Sequence, residues 1–246
     1  MTFHIITIFP EIFDSYFSSS IIGRAIKNNL IKVKIYDLRD YTLDKHQKVD
    51  DAPYGGGAGM ILQVEPIYRA VKHVINGIDE SDGTVRTNIK SGTSRIILFS
   101  AKGKKYRQAD ALRLDRFDNL ILICGRYEGV DERVAENIAD EELSIGDYIL
   151  SGGEIPAMAV LDSVSRLVPG VLGNEESIKD ESFGNSKINL HEPGEFIISQ
   201  NNKVPQLEYP QYTRPDDFNG WKVPEILISG HHEKIKQWRE SKKKKN

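Results

Sequence analysis

Apolar side chains along the first two thirds of the chain fall into short buried runs separated by amphipathic stretches. Residues 3–9 form an isoleucine-rich run ended by Pro10, residues 31–38, 95–100 and 119–124 form similar runs, and 144–150 is a shorter one. Runs of this length, bounded by glycine, proline and polar clusters, read as strands. Between them, residues 11–17, 21–28, 66–75, 106–114, 130–138 and 155–167 read as helices, the last closed by Pro169-Gly170. Residues 40–59 and 77–92 are polar and read as loops, the second as a surface insertion. Strands alternate with helices, which predicts an α/β fold with a mainly parallel sheet.

After Gly173 the alternation fails. Residues 174–206 are polar, carry Gly184, Pro193, Gly194 and Pro205, and read as a linker. A small second unit follows, with its clearest helix over 231–240, where Ile235 and Trp238 are spaced i, i+3. The expected organisation is one domain over 1–173, a linker over 174–206 and a reduced helical unit over 207–246.

Composition adds three points. An apolar fraction of 39% in 246 residues is ordinary and allows a sizeable core. No run approaches the ~20 apolar residues a membrane span needs, and the first six residues lack the basic start of a signal peptide. The single cysteine, Cys124, rules out a disulfide framework within the chain and fits a reducing cytoplasm. It ends an apolar run without a nearby histidine, which reads as a buried structural thiol rather than a nucleophile. The net charge of -3 is unevenly spread: over 222–246 eight Lys and Arg face three acids, whereas over 174–195 six acids face two lysines. On charge alone the basic end reads either as a phosphate-contacting tail or as a solvated terminus.

Candidate chemistry lies in three glycine-bearing segments. The first, Tyr54-Gly55-Gly56-Gly57-Ala58-Gly59-Met60, contains part of a dinucleotide fingerprint. Asp50-Asp51-Ala52-Pro53 before it does not read as a strand, so a tight turn is the plainer reading. The second runs from Ser144 to Glu154 with Gly146, Gly152 and Gly153. The third, Cys124-Gly125-Arg126-Tyr127-Glu128-Gly129, follows a strand directly, and the carboxyl ends of parallel strands are where α/β folds place ligands. Gly125 would let a ligand lie on the backbone. Arg126 and Glu128 are then either ligand-facing or a surface ion pair.

Taken together and in order, residues 53–60, 124–133, 144–158, 162–173 and 207–215 resemble the bacterial tRNA (guanine-N1)-methyltransferases of the TrmD type, in the SPOUT class. The resemblance covers nearly the whole chain. It implies a mainly parallel sheet with a C-terminal trefoil knot and a small helical C-terminal domain. It also implies a cytoplasmic homodimer that methylates N1 of guanosine 37 in the anticodon region of tRNA. The implied cofactor is S-adenosylmethionine, held by the knot loops. On matching positions these are Gly125 and Glu128, then Ser144, Ile145, Gly146, Asp147, Tyr148, Ile149 and Leu150, then Gly152, Gly153 and Pro156. Phe99, Ser100 and Ala101 form a third wall, where Ala101 replaces the family's usual proline. Gly125 and Gly153 are expected to admit no bulky side chain, because the cofactor lies on their backbone.

Arg166 matches the family's catalytic arginine. Counting from it, the family's linker carboxylate falls on Glu181, while Asp180 has the family's residue type one step out of register. These types suit the chemistry. Guanine N1 must lose a proton before it attacks, which a carboxylate can accept. The charge that then spreads onto O6 suits a guanidinium. The resemblance implies magnesium as well, although the six histidines show no ligand spacing and no metal-ligating residue is assigned. Two other classes remain open from the residues alone: a non-catalytic RNA-binding protein using the basic end, and a nucleotide-dependent small-molecule enzyme using the glycine loops.

Overall fold

A computed structural model describes residues 1–82, 93–173, 182–183, 189–190, 196–197 and 206–245. The chain divides into two compact units, Met1–Gly173 and Asn174–Asn246.

The first unit begins with β1 (Thr2–Thr7), a 3-10 turn (Pro10–Phe13), α1 (Asp14–Phe17), α2 (Ser20–Lys27) and β2 (Lys32–Asp37). It continues through two-residue strands β3 (Asp50–Asp51) and β4 (Ile61–Leu62), then α3 (Val64–Asp82), β5 (Ser94–Lys105) and α4 (Gln108–Leu114). It closes with β6 (Asn119–Cys124), α5 (Glu132–Asn137), β7 (Glu141–Ser144) and α6 (Glu154–Ser165). Five strands form one sheet in the order β2-β1-β6-β5-β7, and every pair in it is parallel. The central strands are apolar at consecutive positions because both faces are covered. Leu120, Leu122 and Cys124 of β6 pack with Ala157, Val160, Leu161 and Val164 of α6, whereas Ile121 and Ile123 pack with Ile67, Val71 and Val74 of α3.

Three expectations are corrected. The strand expected over 144–150 is instead Glu141–Ser144, and the residues after it form a loop. Gly146 interrupts the pattern, and the strand's buried anchor is Leu143, which follows two acids, Glu141 and Glu142, in the sequence. Glu141 is made compatible with burial by Arg113, which bonds it at 2.9 and 2.7 Å, and by Arg95 at 3.0 Å. The loop expected from residue 77 is the continuation of α3 to Asp82, and the rest of that insertion, 83–92, lies outside the described residues. The helix expected over 11–17 is a 3-10 turn followed by one α-turn, since Pro10 starts a tight turn.

The strand β5 carries a further irregularity. Its register on β7 jumps from Phe99↔Leu143 to Lys104↔Leu143, so Ser100, Ala101, Lys102 and Gly103 are accommodated at one point of the ladder. A Cβ on Gly103 would lie 2.7 Å from the backbone of Glu142 and Leu143, which explains glycine there by close approach alone.

In the second unit, Asp217–Phe218 pairs antiparallel with Trp221–Lys222, and helices run over Glu225–Ile228 and His232–Lys242. Lys244–Lys245 pairs with Gln206–Leu207, so the basic end is part of a small sheet rather than a free tail. Most of the expected linker, including Asp180 and Glu181, lies outside the described residues. Among these residues no helix is long and apolar enough to cross a membrane.

One buried group makes the first unit acid-sensitive. His4 in β1 is 3% exposed, with Nδ1 3.0 Å from the Tyr36 hydroxyl and Nε2 3.2 Å from Asn119 Oδ1. Burial pushes its pKa down to about 4, against the hydrogen bond to Asn119 and with a small push from Lys34. A lowered folded-state pKa means that protonation favours the unfolded chain. The contribution is therefore intact above pH ~6.5 and is lost as pH falls from there toward about 4. That loss is expected to reach about 2–3 kcal/mol. Denaturant unfolding of the wild type and His4→Gln between pH 7 and 4 checks this, since the variant should show a shallower pH slope. Identical slopes would contradict it.

Candidate active site

The carboxyl ends of β5, β6 and β7 open into a cleft of about 580 Å³, within the usual size range of small-molecule sites. Three loops line it. The first is the irregular stretch of β5, with Phe99, Ser100, Ala101 and Lys102. The second follows β6, where Gly125 to Gly129 make a tight turn closed by the Gly129 amide on the Arg126 carbonyl at 3.1 Å. The third is the loop from Ser144 to Gly153 that leads into α6.

The third loop returns toward β6. Its Gly153 amide donates to the Gly125 carbonyl at 2.9 Å, and Arg126 and Gly152 form an antiparallel bridge. It then enters α6 at Glu154. Pro156 sits in the first turn of this helix, where a missing amide hydrogen costs nothing. Within the loop, Ser144 Oγ bridges the Gly146 amide and carbonyl, and Tyr148 lies over Gly146, where a Cβ would be 2.3 Å from its ring. Tyr148 and Ile149 are exposed at the cleft mouth.

Of the candidate cofactor residues, Phe99, Ser100, Ala101, Gly125, Glu128, Ser144, Ile145, Gly146, Tyr148, Ile149, Leu150, Gly152, Gly153 and Pro156 all line this cleft. Asp147 does not; it points outward and pairs with Lys105. Arg166 does not line it either. It caps the C-terminal end of α6, ten residues beyond Pro156, or roughly 15 Å along the helix axis. Asp180 and Glu181 are outside the described residues, but the Ser182 that follows them is held twice by Glu208: its amide donates to Glu208 Oε1 at 2.9 Å, and its Oγ accepts from the Glu208 amide at 3.0 Å.

The first glycine segment is not a dinucleotide loop. β3 and β4 flank it as an antiparallel pair, and no helix opens within it. It supports the second loop instead, with Glu128 donating its amide to the Met60 carbonyl at 3.1 Å. Gly59 has φ +82, and a Cβ there would lie 2.3 Å from Glu128 Cγ.

Arg126 of the cleft lining pairs with the buried Glu154, a contact that sequence reasoning missed. Arg126 does not pair with Glu128. Its Nε donates to Glu154 Oε2 at 2.9 Å, and its guanidinium stands 4.5 Å from the centre of the Phe9 ring. Glu154 is 2% exposed and also accepts from Thr7 Oγ1 at 2.8 Å. The contact joins residues 147 positions apart, which no local pattern announces. Cys124, at the end of β6, is buried, and burial raises its thiol pKa well above the ordinary value, as befits a structural thiol.

Gly153 departs from its expected reason for being glycine. A Cβ there would meet the chain itself, 2.7 Å from Cys124 Cα and 2.9 Å from the Gly125 amide nitrogen. At Gly125 the tightest contacts are looser, 3.2 Å to Val130 Cγ2 and 3.3 Å to the Phe99 carbonyl. Gly153→Ala is therefore expected to cost about 2–3 kcal/mol by overpacking, a drop of roughly 5–10 °C in Tm. Gly125→Ala should keep a near wild-type Tm. Thermal unfolding of both variants checks the contrast, and equal Tm values would contradict it.

One carboxylate oxygen, Glu142 Oε1, is buried with no hydrogen-bond partner among the described residues, Glu142 lines the cleft, and Gly125, Gly152 and Gly153 present backbone without side chains to the same cleft. These features fit an adenosyl cofactor. Among the described residues no group of three or more His, Cys, Asp or Glu gathers as a metal site.

Comparison with known proteins agrees with this architecture. The family model described as "tRNA (Guanine-1)-methyltransferase TrmD" matches residues 1–246. A tRNA (guanine-N(1)-)-methyltransferase of Clostridioides difficile (strain 630) is 47% identical over 239 residues, covering 97% of this chain and 90% of that protein. One from Dictyoglomus turgidum is 48% identical over 235 residues, covering 96% of this chain and 82% of that protein. The crystal structure of tRNA (m1G37) methyltransferase from Aquifex aeolicus superposes with a TM-score of 0.71 at 38% identity, covering 97% of this chain and 87% of that one. Similarity at this level over nearly the full length leaves no room for a non-catalytic RNA-binding protein or a small-metabolite enzyme. The chain belongs to the tRNA (guanine-1)-methyltransferase TrmD family and is a tRNA (guanine-N1)-methyltransferase.

Proposed function

We propose that this enzyme transfers the methyl group of S-adenosylmethionine to N1 of guanosine 37 in tRNA, acting as a homodimer in the cytoplasm. The observation that carries the cofactor half is the convergence of three separate loops on one cleft at the carboxyl ends of β5, β6 and β7. Gly125, Gly152 and Gly153 would take the cofactor against their backbone, with Phe99 to Ala101, Ser144 to Gly146 and Tyr148 to Leu150 as the opposing walls. When bound there, the cofactor supplies a sulfonium methyl that needs no covalent protein nucleophile.

The chain's own groups do the rest. Glu181, or Asp180 beside it, accepts the N1 proton of guanine. The Arg166 guanidinium holds O6 as negative charge gathers there, with two donors suited to an oxyanion. The loops fix donor and acceptor in line, which removes much of the entropic barrier. Support for a trefoil knot comes from the path of the third loop. It leaves β7, which lies beyond β5, yet pairs with Gly125 and Arg126 after β6, so it crosses the end of β5. Knots are rare, and this crossing is the move one requires.

The placement of Arg166 supports the dimer reading. It stands at the C-terminal end of α6 and does not line its own chain's cleft, and in this reading a second copy brings a guanidinium to each cleft. Methyl-labelled cofactor incubated with total tRNA should give labelled N1-methylguanosine after digestion. Label in no tRNA nucleoside, or full activity from a monomer in sedimentation, would overturn the corresponding part.

A further inference from the structure

Five charged residues line the cleft: Lys102, Arg126, Glu128, Glu132 and Glu142. Lys102 pairs with Glu132, and Arg126 pairs with Glu154 behind the lining. Glu128 and Glu142 form no ion pair among the described residues. Glu142 sits in β7 opposite Leu98 of β5, and its Oε1 is shielded from water without a donor. Lys102 is near enough for Glu142 to contribute to the rise in its pKa, after its hydrogen bond to Glu132, and Glu136 of α5 adds to the same negative side. The cleft therefore holds two carboxylates whose charge no protein cation cancels by direct contact.

We propose that Glu142 reads the charge of the methyl donor, making the cleft prefer S-adenosylmethionine over its demethylated product, S-adenosylhomocysteine. This rests on the cofactor reading given above. Near neutral pH the donor carries a sulfonium, an ammonium and a carboxylate, a net charge of +1. The product keeps the ammonium and the carboxylate but has a neutral thioether, so its net charge is zero. Transfer breaks the S–CH3 bond with the electron pair left on sulfur and forms the N1–CH3 bond, while the N1 proton passes to the general base. A carboxylate in a cleft partly closed to water attracts the donor's extra charge and has nothing extra to attract once that charge is gone. The same residue that favours loading thus favours release of the spent cofactor, a step that limits turnover in many enzymes.

Calorimetric titration of the full chain with each cofactor form separates this from a simple contact. In Glu142→Gln, which keeps the side chain's shape, the dissociation constant for S-adenosylmethionine should rise about tenfold, and that for S-adenosylhomocysteine should change by less than about twofold. Glu136→Gln, which removes an exposed charge outside the lining, should leave the ratio of the two constants at its wild-type value. Equal weakening of both forms would assign Glu142 to a part they share and overturn the proposal, as would no change in either. A ratio lowered as much by Glu136→Gln would also overturn it, because the preference would then belong to the general field. A wild-type protein that binds neither form would overturn the cofactor reading itself, whereas wild-type binding without selective loss in Glu142→Gln overturns this proposal alone.

Discussion

Glu181→Gln is expected to slow single-turnover methyl transfer by about 10²–10⁴-fold, the usual contribution of a positioned general base, with cofactor binding unchanged. Guanine N1 is protonated at neutral pH and has no free pair in the plane of the ring to attack with. A group that takes its proton must therefore lie within hydrogen-bond reach of N1. Gln keeps the shape of Glu and removes that capacity. Asp180→Asn is the companion variant, expected to have the smaller effect because Asp180 stands one position out of register with Arg166 in the family pattern. Ser182, next in the chain, is hydrogen-bonded on both its amide and its hydroxyl to Glu208. Rates measured at several pH values, beside calorimetric cofactor binding, settle the assignment. If neither variant slows transfer beyond a few-fold, the base lies elsewhere.

Arg166→Ala is expected to lower the transfer rate by about 10²–10³-fold, as removal of an oxyanion donor does, again without loss of cofactor affinity. The separation between Arg166 and the cleft makes the second half of this expectation sharp. A side chain at the C-terminal end of α6 does not touch a ligand held at the helix's N-terminal end in the same copy. Arg166→Lys should recover part of the rate, since it keeps the charge but loses the planar pair of donors. An Ala variant within a few-fold of wild type would remove Arg166 from the chemistry. One that fails to bind cofactor would show that it acts on the cleft instead.

Much of the sheet was legible because its central strands are covered on both faces and are therefore apolar at successive positions, as in the β6 run Leu120-Ile121-Leu122-Ile123. The edge strand β7 was not. Its Glu141 and Glu142 look like solvent residues until Arg113 and Arg95, 28 and 46 positions away, are seen bonded to the first of them. The cleft lining was legible as segments, since glycine clusters after strands are local signals. The reason for individual glycines was not: Gly103 and Gly153 are forced by backbone from strands far off in sequence. The Thr7–Glu154–Arg126 contact is likewise a product of tertiary folding. A chain crossing of the kind that joins Gly153 to Gly125 has no periodicity, so resemblance to a family is the one sequence signal that can point to it.

The central claim is tested most directly on one tRNA prepared unmodified in two forms, with guanosine or adenosine at position 37. Each is incubated with the enzyme and S-adenosylmethionine, and the products are digested and their nucleosides mapped. The account predicts one N1-methylguanosine, at position 37, in the first form and no methylated nucleoside in the second. Methylation at another position, or equal methylation of the adenosine form, would contradict it.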